Sequence, residues 1–236
     1  MKRCVVNYIT RNAWHPFGQE RLNKSLKRVN FGGDILLFDD KNFSCPSHHI
    51  IPYAFKFYAI KAAIERGYEQ VLWVDASFWA IQPIDELFVL IEKEGVVVQN
   101  SGYVLGQWSS DASLKYLGVG REEAFNMMMY SGGLIGLNLK SSIGKDFFKA
   151  MFKEAIIGRA FKGSWINRKQ EVSKDIRVKG HRHDMVVGTV IMKRLGIKIF
   201  PNNSFFSYYA WYQKYKQEKA LDDKIFFVIE GGTRKI

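Results

Sequence analysis

Residues 53–88 read YAFKFYAIKAAIERGYEQVLWVDASFWAIQPIDELF. Pro52 introduces this stretch. Phe55, Tyr58, Ala59, Ala62 and Ala63 recur at three- and four-residue spacing, which predicts a helix with one apolar face. Gly67 supplies a left-handed cap to end it. VLWV at 71–74 is a short unbroken apolar run, the pattern of a strand buried on both sides. Asp75 follows at once. Pro83 then opens a second amphipathic helix carrying Leu87, Phe88, Leu90 and Ile91, and Gly95 stops it. Such open sheets bind ligands outside the carboxyl ends of their strands. A carboxylate at that place is costly to bury unless a cation or hydrogen-bond donors meet it. Asp75 is therefore a candidate ligand-binding acid, the alternative being a simple turn cap.

The same alternation extends through the chain. Strands are predicted at 4–9, 35–38, 96–99, 133–139, 197–200 and 225–229. Helices are predicted at about 19–28, 122–129 and 144–157. A last helix runs from Asp184 to Leu195, with Gly196 as its stop. The segment 158–180 is basic and lacks clear periodicity. The fold class expected is α/β, a Rossmann-like, mostly parallel sheet with helices on both faces.

The 236 residues are 47% apolar and 25% charged, which excludes a disordered, collagen-like or disulfide-stapled chain. No run of about 18 apolar residues suggests a transmembrane helix, and MKRCVVNYIT lacks the apolar core of a signal peptide. Cys4 and Cys45 are the only cysteines, so a reducing, cytoplasmic setting is expected. Residues 1–139 carry 14 Lys/Arg and 14 Asp/Glu, whereas residues 140–236 carry 21 against 9, so the whole excess of +12 lies in the later part. That asymmetry points to a polyanionic partner (nucleic acid, anionic lipid or acidic glycan) or to a solvated basic surface.

The layout of residues 53–88 resembles glycosyltransferases of the GT-A fold, family-8 type. There a basic helix, an apolar strand, an Asp-x-Asp motif and a short run to an "LF" helix follow one another. Asp75 matches the first acid, and Ser77 stands where the second would be. The resemblance implies a donor nucleoside-diphosphate sugar, with UDP as the expected carrier. It also implies a divalent ion (Mn²⁺ or Mg²⁺) held by the acids to neutralise diphosphate charge. Three further stretches match in order. Tyr130–Asn138 (YSGGLIGLN) is similar to the family's strand beside the donor sugar, with Ser131 in place of Asn and Gly132 letting backbone approach a ligand. Gly180–Met185 (GHRHDM) is similar to the segment whose Asp-Gln pair touches the sugar. Asp184 matches and Met185 replaces Gln. Gly232–Lys235 fits the terminal Gly-x-x-Lys, but Ile229 occupies the preceding His position.

The resemblance implies one GT-A-like domain over 1–236, with 1–139 on the donor side and 140–236 on the acceptor side. Asp75 and Asp184 are the expected catalytic acids. Thr10, Lys56, Asp75, Ser77, Ser131, Gly132, Arg182 and Lys235 are expected at the donor, and Asp75 and His183 at the metal. The aromatic, basic run FFSYYAWYQKYKQEK at 205–219 suits stacking with phosphate contact, a membrane interface, or a covering lid. With Trp165, Arg168, Lys169, Tyr208 and Trp211 as acceptor contacts, the sequence suggests transfer to a polyanionic hydroxyl, such as hydroxymethylated DNA. An anionic glycan or lipid-linked acceptor is the other option. The resemblance implies retention at the anomeric carbon, whereas inversion would need a general base, for which Asp184 is available. The competing reading is a degenerate, non-catalytic module that binds nucleic acid through the basic half.

Overall fold

The computed structural model describes residues 1–210, 212–213 and 225–233. Among them, five strands build a central sheet in the order β2-β1-β3-β8-β5. These are β1 (Arg3–Ile9), β2 (Asp34–Asp39), β3 (Gln70–Val74), β5 (Val96–Val97) and β8 (Leu134–Asn138). β1 pairs in parallel with both β2 and β3, while β8 runs antiparallel to β3 and β5. Four of these strands thus point the same way and β8 is reversed.

Residues alternate between the two faces. Cys4, Val6, Tyr8, Val71 and Trp73 join one core, while Val5, Leu72 and Val74 join another. The first core is shared with α2 (Phe55–Glu65), α6 (Ser142–Ile157) and α7 (His183–Leu195), the second with α1 (His15–Arg28) and α3 (Asp85–Glu94). Double-sided burial explains why VLWV carries no polar residue. Around this frame lie a small sheet of β4 (Phe78–Ala80), β9 (Phe206–Tyr208) and β10 (Phe227–Ile229), and a ribbon of β6 (Asn100–Val104) with β7 (Met128–Tyr130). Two short helices, α4 (Asp111–Leu117) and α5 (Arg121–Phe125), connect them.

Several boundaries differ from the sequence reading for local reasons. α1 starts at His15 rather than near residue 19, because Pro16 occupies its first turn. Gly18 lets that turn approach the chain just past β3: a Cβ there would stand 2.4 Å from the Ala76 carbonyl oxygen. The stretch 122–129 divides into α5 and strand β7. At 197–200 the structure has an isolated bridge between Gln99 and Phe200 rather than a strand. Gly67, Gly95 and Gly196 take positive φ at their helix ends, as their positions suggested. No helix among the described residues is long and apolar enough to cross a membrane, and Cys4 and Cys45 are unpaired.

The reversed strand β8 hands over to α6 through a tight junction. The Ser141 side chain caps α6 by accepting from the Gly144 N–H at 3.1 Å. A Cβ on Gly144 would fall 2.1 Å from the Asn138 carbonyl oxygen. Gly144→Ala is therefore expected to destabilise the fold by about 2 kcal/mol, despite alanine's better helix propensity. Thermal melts would show this as a fall of roughly 5 °C.

Candidate functional site

Two clefts open where β1, β2 and β3 end. The larger, about 1160 Å³, is lined by residues that include Thr10, Trp14, His15, Asp40, Lys41 and His48. The smaller, about 230 Å³, has Lys56, Ser131, Gly132, Arg182 and Asp184 in its wall. Tyr53, Asp75 and Ser77 line both. The reversal of β8 brings Gly132 and Gly133 to the same sheet end as Asp75, whose N–H donates to the Gly133 carbonyl at 2.9 Å.

The wall of the smaller cleft holds an ion cluster. Lys56, in the first turn of α2, is only 2% exposed. Its Nζ donates to the Gly132 carbonyl at 2.7 Å, lies 3.0 Å from Asp184 Oδ2, and lies 3.5 Å from Asp75 Oδ1. Burial alone would push this ammonium down. The charges of Asp184 and Asp75 outweigh burial and hold it above its ordinary range. Burial pushes the Asp184 carboxyl up, against the pull of Lys56. Among the described residues, no aligned hydrogen-bond donor reaches Asp184 Oδ2. Gly132 makes the cluster possible, since a Cβ there would stand 2.5 Å from Asp184 Oδ2. The sequence suggested that this glycine lets a ligand approach; what approaches it here is the protein's own ion pair. Asp184 lies in the first turn of α7 and is not its cap, because the cap residue is Arg182.

Asp75 differs from its partners in being open. Its side chain is 33% exposed, and its Oδ1 accepts from Trp73 Nε1 at 2.8 Å. Its side chain lines both clefts. Ser77 is fixed by its backbone, its carbonyl accepting from Arg21 and from the Glu230 N–H.

Arg182 lies between two indoles, its guanidinium carbon 3.6 Å from the Trp108 ring centre and 3.8 Å from that of Trp165. One of its nitrogens also donates to the Trp165 carbonyl at 2.7 Å. The neighbouring histidines are internal. His181 accepts from the Ser110 N–H through Nδ1 and faces the Ala160 carbonyl through Nε2. His183 donates from Nδ1 to the Phe161 carbonyl at 2.8 Å and packs against the Tyr53 and Trp165 rings. Tyr53 and His183 both have left-handed backbone, with φ of 62° and 42°. Such strain in bulky residues collects at functional sites.

Burial holds the His181 ring down at about 3 and the His183 ring at about 4, below the ordinary 6.5. As pH falls below 6.5, the unfolded chain binds protons that these folded rings refuse. Their contribution to stability is thus complete above pH 6.5 and is lost downward towards pH 4 for His183 and pH 3 for His181, at up to about 1.4 kcal/mol per pH unit for each ring. Melts between pH 7 and 5 should show a steady fall in Tm, and a flat profile would contradict these buried neutral rings.

The structure therefore brings together Lys56, Asp75, Ser77, Ser131, Gly132, Trp165, Arg182, Asp184 and Tyr208. Thr10 stands in the adjoining larger cleft. His183 is buried and lines neither cleft, and Arg168 and Lys169 are exposed on a short 3₁₀ turn away from both. Trp211 and Lys235 lie outside the described residues. Sequence reasoning gave no role to Tyr53, Tyr103 or Trp108. Tyr53 follows Pro52 in the deciding stretch, and that position was the available signal. The other two lie in the aperiodic stretch 100–130.

The divalent ion implied by the sequence resemblance has little to bind. Among the described residues, no three His, Cys, Asp or Glu side chains gather as a metal site. Asp75 Oδ2 and Ser77 are the available oxygen ligands, and apolar Ile229 lines the pocket at the expected His position. Among the described residues, those at the clefts do not by themselves complete a metal centre.

No protein-family model matches the chain, and no curated protein matches it in sequence. Solved structures do match in fold. A glycosyltransferase involved in glycosylation of the major capsid of PBCV-1 superposes with a TM-score of 0.56 at 10% identity, over 97% of this chain and 93% of that one. The galactosyltransferase LgtC, solved with donor and acceptor sugar analogues, gives 0.51 at 12% identity, covering 98% and 87%. The bifunctional glycosyltransferase WbbM gives 0.53 at 13% identity, covering 98% of this chain; this chain spans 46% of that longer protein. The fold is that of the GT-A glycosyltransferases.

Proposed function

We propose that the chain transfers a hexose or pentose from a nucleoside-diphosphate sugar, with UDP as the carrier, to an acceptor hydroxyl. The observation that carries this reading is the position of Asp75. It follows a fully buried strand, keeps its side chain one-third exposed, and lines both clefts. A nucleotide sugar has the same two-part form. The nucleoside would occupy the larger cleft beside Thr10 and Trp14, and the sugar the smaller one beside Asp184. LgtC, which shares the fold, was solved with donor and acceptor sugar analogues.

In the reaction, the bond from the anomeric carbon to the β-phosphate oxygen breaks, and its electron pair leaves on the phosphate. The acceptor oxygen forms the new bond to the anomeric carbon. Its proton passes to the departing diphosphate when attack comes from the same face, the retaining course we propose. Asp184 lies in the wall of the sugar cleft, its buried Oδ2 held by Lys56 Nζ at 3.0 Å. Lys56 acts as a positioning residue that holds both acids. Arg182 fixes the wall through its indole contacts, and Ser131 and Gly132 shape the sugar's bed. Lys235 is retained as a diphosphate contact on the sequence resemblance. A divalent ion would take Asp75 as its ligand from this chain and offset diphosphate charge, and no step above depends on it.

Thermal shift with a panel of nucleotide sugars tests the reading. A donor at 100 times its Kd should stabilise the chain by about 2.7 kcal/mol, roughly 5–10 °C at this size. Mn²⁺ added alone should leave Tm unchanged, because the described residues hold no three-ligand site. A donor panel without effect, alongside salt-sensitive DNA binding, would support the non-catalytic module instead.

A further inference from the structure

The end of α6 and the aperiodic segment after it form a surface whose backbone is held down from beneath. The Ala160 carbonyl accepts from Ser113 Oγ at 3.1 Å, and the Phe161 carbonyl accepts from His183 Nδ1 at 2.8 Å. The Ser164 carbonyl accepts from the His181 N–H, and the Trp165 carbonyl from Arg182. Asn167 donates from its N–H to the Lys179 carbonyl and from its side-chain amide to the Ser173 and Val178 carbonyls. Between these anchors large apolar side chains stay open. Ile156, Ile157, Trp165 and Ile166 are 46–55% exposed. Ile176 is 91% exposed, in a turn that the Val178 N–H closes on the Asp175 carbonyl. Ile50 is exposed beside them, because Ile51 packs on Gly158, where a Cβ would stand 2.7 Å from the Ile51 side chain. Fixed apolar side chains gathered on one exposed surface mark an interaction site.

Cations interleave with them. Residues 155–179 carry seven Lys/Arg against two Asp/Glu, and no acid occurs between Glu154 and Glu171. All seven cations are exposed, and Asp175 is paired with one of them, Arg177. The mixture selects the partner. Nucleic acid would use the cations, but isoleucine has no π-face on which a base can stack. An anionic bilayer uses both kinds of side chain. Its headgroup phosphates attract the cations, and the isoleucines and the indole enter the boundary between headgroups and acyl chains. It also needs no groove, since lipid conforms to side chains that stand apart.

We propose that residues 156–179, with Ile50, dock the protein on an anionic lipid surface. Trp165 also lines the smaller cleft, so that cleft opens beside the bilayer. The inference does not depend on the transferase reading.

Vesicle flotation tests it on the full chain. Vesicles of phosphatidylcholine mixed with phosphatidylglycerol should carry the protein, vesicles of phosphatidylcholine alone should not, and rising salt should weaken binding. Arg168→Gln with Lys169→Gln should weaken binding about thirtyfold. Ile166→Asn with Ile176→Asn should weaken it about tenfold. Both pairs should keep the wild-type Tm, since all four side chains are exposed. Wild-type vesicle affinity in the isoleucine pair overturns the proposal, because charge alone then suffices. Binding that survives both pairs places the contact elsewhere on the chain and overturns it too. So does a single-stranded oligonucleotide that binds where no vesicle does, or a dimer that the isoleucine pair dissociates while no vesicle binds.

Discussion

Lys56→Met is expected to lower Tm by roughly 10 °C and to abolish sugar transfer. The ammonium is buried and stands 3.0 Å from Asp184 Oδ2 and 3.5 Å from Asp75 Oδ1. Removing it leaves Asp184, itself 2% exposed, charged and uncompensated. Breaking a buried pair in this way costs about 3–5 kcal/mol, and a chain of this size loses roughly 2–4 °C per kcal/mol. Pairing Lys56→Met with Asp184→Leu removes both charges of the tighter contact and should recover much of the stability, but not the activity. Calorimetry of the single and double variants separates the two effects. A Lys56→Met chain with wild-type Tm would show that the cluster is not formed as described.

Asp75→Asn is expected to do the reverse, removing activity and sparing the fold. The Asp75 side chain is one-third exposed, so its 3.5 Å contact with Lys56 contributes at most about 1 kcal/mol. Asparagine keeps an oxygen for the Trp73 Nε1 bond. The charge at the junction of the clefts is lost, and with it, on the proposed reading, the carboxylate that lies between nucleoside and sugar. Turnover should fall about a hundredfold or more, with Tm within about 3 °C of wild type. A fully active Asp75→Asn chain would remove Asp75 from the mechanism.

The elements that position these groups were legible where one local rule decides. VLWV is buried on both faces and reads so. Gly67, Gly95 and Gly196 end their helices at positive φ. Asp75 was visible because it adjoins that strand. The Lys56–Asp184 pair was not visible, because 128 residues separate the partners and they meet only through tertiary packing, where Gly132 leaves them room. The aromatic rings of the smaller cleft were hidden for the same reason: Tyr103, Trp165 and Tyr208 meet only through tertiary packing. Charge did not single out the site in the basic half. Arg168 and Lys169 are exposed away from both clefts, while Arg182, in the same half, is enclosed by indoles. Net charge counts residues without saying which ones face a pocket. His183 was expected at the metal from the resemblance, but the Phe161 carbonyl and neighbouring rings occupy it.

Hydrogen exchange read by mass spectrometry, first with UDP and then with UDP-sugars, tests most directly whether Asp75 joins a nucleotide cleft to a sugar cleft. UDP should slow exchange around residues 9–15 and 40–49. The sugar moiety should extend that protection to 131–133 and to the start of α7. Protection confined to the basic stretch 159–179, or none with any nucleotide or nucleotide sugar, would contradict the account.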